Sequence, residues 1–141
     1  MNSILDTMED LKKLVIEKNI LIYGAQEIAD QVIEGLYAID HHVSIIGCAV
    51  SDMRGNVAEI SGIKVKQIHE YHVDKDTTFV IISVGNRAYH EDIKKTLYSI
   101  DYKKVFTLTQ YLESILDNIF LKNTIKRKLS KLMEAERDNS V

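Results

Sequence analysis

The segment Asn19–Ile39 constrains the fold of this chain more than any other. Four apolar residues without alternation, Ile20-Leu21-Ile22-Tyr23, run into Gly24. Helical spacing follows at once, with Ile28, Ala29, Val32, Ile33, Leu36 and Tyr37. A strand that is apolar at every position is buried on both faces, the usual state of a strand inside a parallel sheet. Apolar residues three and four apart predict a helix with one face on that sheet. Parallel neighbours can be reached only through a crossover, so strand, turn and helix together announce the first unit of an alternating α/β domain.

The pattern continues. A second buried strand, Val43–Val50, ends at the polar stretch Ser51-Asp52-Met53-Arg54-Gly55-Asn56. A short strand at Ile63–Lys66 leads into a turn of helix around Gln67–Tyr71. The clearest strand, Thr78–Val84, stops at Gly85-Asn86; a helix over Ala88–Ile100 and a last strand, Lys104–Leu108, complete the series. Ile4, Leu5, Met8, Leu11, Leu14 and Val15 predict an amphipathic helix over Ser3–Lys18, capped by Ser3 or Asp6. From Thr109, as N-cap, one long helix is expected. Leu112, Ile115, Leu116 and Ile119 form its first apolar stripe, and Leu121, Ile125, Leu129 and Leu132 a second one out of phase near Phe120. The first half should dock on the sheet, the second should leave it, and the polar tail Glu134–Val141 should fray.

The fold class is therefore α/β: a three-layer Rossmann-like parallel sheet of about five strands, with amphipathic helices at both ends. Residues 1–18 are the N-terminal helix, 19–108 the Rossmann-like domain, and 109–141 the C-terminal helix and tail. At 141 residues the chain fits one domain. A domain of this size buries about 70% of its unfolded surface and needs no staple. The six glycines, with no proline, fall mostly at strand ends.

Composition narrows the function classes. A net charge of −3 lacks the basic excess of a nucleic-acid binder. The single cysteine, Cys48, allows no internal disulfide and no multi-thiolate zinc site. It sits in a buried strand and reads as an inert small hydrophobe. Met1–Asp6 has no basic region followed by an apolar run, and no run approaches the roughly 20 residues of a transmembrane helix. A cytoplasmic protein with no transmembrane segment is expected.

In open parallel sheets, ligands bind beyond the carboxyl ends of the strands, where the strand order reverses. That edge collects Gly24-Ala25-Gln26-Glu27, Ser51-Asp52 and Ser83-Val84-Gly85-Asn86. The adjacent pair His41-His42 falls at the opposite edge. Backbone amides opening the helix after Gly24 favour an anionic phosphate. The dinucleotide fingerprint asks for three glycines; here only Gly24 stands, Gln26 occupies the second position, and Asp30 is near the third. A tight turn kept for packing explains Gly24 equally well. Asp52 could accept hydrogen bonds from ribose hydroxyls or a base, or be an ordinary surface acid. Ser83, Gly85 and Asn86 offer a hydroxyl, a flexible turn and an amide. Arg87, Tyr89 and His90 open the next helix near the same edge. His69-Glu70-Tyr71-His72 pairs two histidines three apart, but without a third ligand a surface turn is the simpler account. No nucleophile–base arrangement can be assembled, and no catalytic or metal residue is assigned. Lys122, Lys126, Arg127, Lys128 and Lys131 make the last helix locally basic. That basic face suits solvent, a partner helix, a dimer seam or an anionic membrane.

The succession Ile20–Ala25, Ile45–Asp52, Ile60–Val65 and Val80–Val84 resembles one group of Rossmann-like domains in bacterial surface-polysaccharide enzymes. The group comprises the N-terminal nucleotide-sugar-binding domain of sugar acyltransferases and related domains attached to capsule glycosyltransferases. The resemblance covers about Asn19 to Leu108. It implies that Gly24, Ala25, Gln26, Ser51 and Asp52 hold a uridine nucleotide-sugar. The left-handed β-helix repeats that carry acyl transfer are absent, so that activity is not implied, and such domains often belong to longer chains. The expected function is a non-catalytic nucleotide or nucleotide-sugar-binding module of bacterial surface or capsular polysaccharide biosynthesis, with no enzymatic activity assigned to it alone. The alternative is an interaction or oligomerisation module with a degenerate site. Its terminal helices would then meet a second copy or a glycan-assembly enzyme. A dinucleotide-dependent enzyme or sensor is disfavoured by the missing second glycine and the lack of an acid/base pair.

Overall fold

The computed structural model describes residues 3–16 and 18–139. Among them, seven strands form one sheet: β1 (Ile4–Leu5), β2 (Asn19–Tyr23), β3 (Ser44–Val50), β4 (Glu59–Ile60), β5 (Ile63–Gln67), β6 (Thr78–Ile82) and β7 (Lys104–Leu108). The four α-helices are α1 (Met8–Val15), α2 (Glu27–Ile39), α3 (His90–Ser99) and α4 (Gln110–Asn139), with a single 3-10 turn before α3 and another after β5. The order across the sheet is β1-β7-β6-β2-β3-β5-β4, and only the β4–β5 pair is antiparallel. All five expected strands are present. The count is seven because β1 and β4 are two-residue strands, too short to show any period.

The chain moves outward from β2 through β3 to β5, returns to lay β6 against the other side of β2, and continues outward to β7. The strand order thus reverses between β2 and β6. Successive side chains of the buried strands go to opposite faces. Ile20, Ile22, Cys48, Ile81 and Phe106 pack with Leu11 and Leu14 of α1, Val32 and Leu36 of α2, and Leu112 and Leu116 of α4. Leu21, Tyr23, Ala49, Val80 and Ile82 pack on the other face with Leu97 of α3, Ile68 and Tyr71. The β2–β3 register slips by one residue after Ile20–Ile45, so Leu21 pairs with Gly47. A side chain at Gly47 would collide with the Tyr71 phenol, whose hydroxyl donates to the Cys48 carbonyl at 2.7 Å.

The expected helix over Ser3–Lys18 is corrected at both ends. Ile4 and Leu5 pair with Thr107 and Leu108 as the strand beside β7, and the helix spans only Met8–Val15. Thr7, not Ser3 or Asp6, is the N-cap: its hydroxyl accepts from the Asp10 amide at 3.1 Å while the Asp10 carboxylate accepts from the Thr7 amide at 3.2 Å. This capping box fixes the start of the helix locally. The residues before it then satisfy the open edge of β7, with Thr107 N–H donating to Ser3 and Thr109 N–H to Leu5. Ile4 and Leu5 suit either period, and the unpaired edge decides.

Thr109 does cap α4: its hydroxyl accepts from the Leu112 amide at 3.2 Å and donates to Asp6 at 2.9 Å. Leu112 and Leu116 are fully buried, and beyond Phe120 the helix leaves the body, exposing Leu121, Ile125, Leu129 and Leu132. The helix continues to Asn139, through most of the tail expected to fray. Ser140 and Val141 of that tail lie outside the described residues, as do Met1, Asn2 and Glu17. Among the described residues no helix is long and apolar enough to cross a membrane.

Candidate functional site

The reversal of strand order opens a crevice beyond the carboxyl ends of β2 and β6. There the chain leaves a cleft of about 600 Å³, inside the roughly 300–1,000 Å³ of small-molecule sites. Its floor is stitched by backbone hydrogen bonds between strand ends: Gly24 N–H donates to Ala49 at 2.9 Å and Ser83 N–H to Tyr23 at 2.8 Å. Gly24 has φ +134°, and a Cβ there would stand 2.5 Å from the Ser83 carbonyl oxygen. Both the backbone conformation and the close approach of β6 therefore require glycine.

The turn after Gly24 delivers α2 with its N-terminus toward the cleft. Gln26 is extended (φ −120°, ψ −155°) and its side chain makes no capping hydrogen bond. The first amides of α2 are thus free of a side-chain cap, the arrangement that suits an anion. Glu27 and Asp30 in the same first turn oppose an incoming anion. Counting along the fingerprint from Gly24 puts Ala29, not Asp30, at its third position. Ala29 is fully buried against the sheet and keeps the small residue that helix packing needs there. Asp30 instead accepts a hydrogen bond from the Ser61 hydroxyl. At the second glycine position of that pattern stands Gln26, without backbone strain because its φ is negative.

Seven of the eight residues predicted for the site line this cleft: Gly24, Ala25, Gln26, Ser51, Ser83, Gly85 and Asn86. Asp52 does not. Its carboxylate accepts from Arg54 Nε at 2.7 Å and from the Arg54 amide at 2.8 Å, and Arg54 Nη2 lies at 2.5 Å. The Arg54 hydrogen bonds hold that carboxyl below its ordinary value. Of the three residues opening the next helix, Tyr89 alone reaches the cleft. Arg87 is turned away, donating to the Leu108 carbonyl at 3.1 Å and pairing with Glu113 at 3.1 Å, so it anchors α4. His90 is buried, its Nε2 2.6 Å from the Val84 carbonyl, and braces the turn after β6.

Sequence reasoning missed Tyr23, Asn56, Asp92 and Thr96, which also line the cleft. Asp92 and Thr96 stand four apart on α3, hence on one face. Asp92 is the one charged side chain in the lining among the described residues. Burial raises the Tyr23 phenol above its ordinary value, against a smaller lowering from the Ser51 hydroxyl. Tyr23 therefore stays a neutral hydroxyl at physiological pH. The cleft presents hydroxyls, amides and one carboxylate, with Val50, Val84 and Ile93 as apolar lining. It can hydrogen-bond a polyhydroxylated or heterocyclic ligand, while charge on a phosphate would be met by backbone amides alone.

The other titratable motifs lie elsewhere. His41 and His42 are exposed before β3, and His69 and His72 are exposed around the 3-10 turn after β5. Among the described residues no cluster of three or more His, Cys, Asp or Glu could hold a metal. Cys48 is fully buried, and desolvation, with a smaller push from Asp30, drives its thiol up to about 12. Such a thiol does not ionise near neutrality and is no nucleophile. Compared with models of protein families, with curated proteins and with solved structures, the chain matches none.

Proposed function

We propose that the chain is a three-layer Rossmann-like module whose cleft binds a nucleotide or nucleotide sugar, without catalysing a reaction on its own. The position of the cleft carries this reading: it lies at the point of strand-order reversal, over a glycine that tolerates no side chain and beside an uncapped helix start. In this reading Asp92, Thr96, Asn56 and Ser51 bind ribose or sugar hydroxyls, and the α2 amides receive the phosphate. The family resemblance of residues 19–108 extends the reading to a uridine nucleotide-sugar and to cytoplasmic steps of bacterial surface-polysaccharide assembly.

Thermal-shift and calorimetric titrations with uridine, cytidine and adenine nucleotides and with uridine diphosphate sugars test it. A ligand at a hundredfold excess over its Kd stabilises by about 2.7 kcal/mol, a shift of several degrees for a domain of this size. Unchanged melting with every ligand at millimolar concentration would sink the reading. Gln26→Gly reopens the approach to the backbone, and it should tighten binding of diphosphates while leaving nucleosides unaffected.

A second reading is favoured by one observation: Leu121, Ile125, Leu129 and Leu132 stand 48%, 56%, 53% and 62% exposed on the projecting part of α4. There the chain is an interaction or oligomerisation module acting through its terminal helix. Light scattering of the full chain against Leu129→Ser checks whether that stripe joins two copies.

A further inference from the structure

The projecting part of α4 carries its apolar residues and its charges in separate lines. At about 100° per residue, Leu121, Ile125, Leu129 and Leu132 fall within roughly 80° of arc, and exposed Met133 extends the stripe. Lys122 and Lys126 border it on one side, Lys128 and Lys131 on the other, all four exposed. No acidic residue occurs between Asn118 and Met133. Arg127 lies on roughly the opposite side of the helix, where its Nη1 donates to Glu34 of α2 at 2.7 Å. The contact that ties this part of the helix to the body is thus behind it, and the stripe faces outward.

The two lysine lines discriminate among occupants. A second copy laid on this stripe, parallel or antiparallel, would bring lysine lines together over residues 122–131, and like charges at an interface are costly. A protein partner of the common kind would find the wrong residues, since interface cores favour aromatics and are depleted in lysine, whereas this stripe is aliphatic and lysine-bordered. A surface that is apolar inside and negatively charged outside meets both features. Aliphatic side chains sink below the headgroups while lysine stems run along the apolar boundary and lift their ammonium groups to the phosphates.

We propose that residues 121–133 of α4 lie in the interface of an anionic lipid bilayer and hold the domain at a membrane surface without crossing it. The proposal rests on the reading of α4 as a contact surface and is independent of what the cleft binds.

Co-sedimentation of the full chain with vesicles of phosphatidylcholine alone, and of phosphatidylcholine mixed with phosphatidylglycerol, decides it. Binding is expected to the mixed vesicles and not to the neutral ones, and to weaken as salt is raised. Replacing Lys122, Lys126, Lys128 and Lys131 together by Gln should weaken binding on the order of a thousandfold, and Ile125→Ser with Leu129→Ser should abolish it. Both variants change exposed side chains only, so an unchanged melting temperature verifies their fold. Equal binding to both vesicle types, or to neither, overturns the proposal. A concentration-dependent dimer that Leu129→Ser dissolves also overturns it, while leaving the contact-surface reading of α4 intact.

Discussion

Helix α4 is two structures in one element. Its first three turns carry Leu112 and Leu116, both fully buried, and its last five carry Leu121, Ile125, Leu129 and Leu132, all about half exposed. The residue types hardly differ. What differs is the opposing surface: Leu116 packs where Gly35 leaves α2 without a side chain, and a Cβ there would collide with it. Next to this contact the buried Gln31 amide donates to Asp117 at 3.0 Å. After Thr124, the Glu34 carboxylate of α2 meets Arg127 Nη1 at 2.7 Å. An apolar stripe therefore marks a surface that needs cover, and only the neighbouring element determines whether the domain itself supplies it.

This contrast can be broken by mutation. Leu116→Ala removes side-chain atoms from a site with little freedom to collapse. It should cost about 2–5 kcal/mol in urea unfolding; a loss near zero would mean that the first half is not docked as described. Thr109→Ala removes the α4 cap and the hydroxyl held by Asp6, and should cost about 1 kcal/mol. It should also weaken the α4 start relative to β1, visible as faster amide exchange at Leu112. Leu129→Ala, in the same helix and of the same chemistry as Leu116→Ala, should stay within about 0.5 kcal/mol. A loss of 2 kcal/mol or more there would show that the projecting half is covered in solution, and its dependence on protein concentration would identify the cover as a second copy.

The cleft repeats the lesson on a smaller scale. Gly24, Ser83, Gly85 and Asn86 were legible because they end apolar strands, and strand ends of a parallel sheet gather at one edge whatever the details. Asp52 shares that edge but turns to Arg54, two residues on; the D-x-R spacing ahead of Gly55 is a local signal for such a turn. Asp92 and Thr96 carried no signal that separates them from other polar helix residues. Whether they face solvent or ligand depends on how α3 rotates on the sheet, and Leu97 fixes that rotation by burying itself in the cluster with Leu21, Val80 and Val105. Arg87, the one cation of its turn, was equally unassignable, since its partners lie 21 and 26 positions away on the chain.

The sequence by itself determined the alternation of strands and helices, the five central strands and the glycine turn at Gly24. These follow from local rules: apolar runs without alternation must be buried on both faces, and a turn at positive φ selects glycine. Tertiary structure alone decided that Ile4 and Leu5 join the sheet instead of a helix, that Asp52 leaves the cleft while Asp92 enters it, and that one half of α4 is core and the other surface. In each of those cases the residue suits two environments almost equally well, and the free energy that separates them resides in the partner: an open strand edge, a nearby guanidinium, a glycine groove.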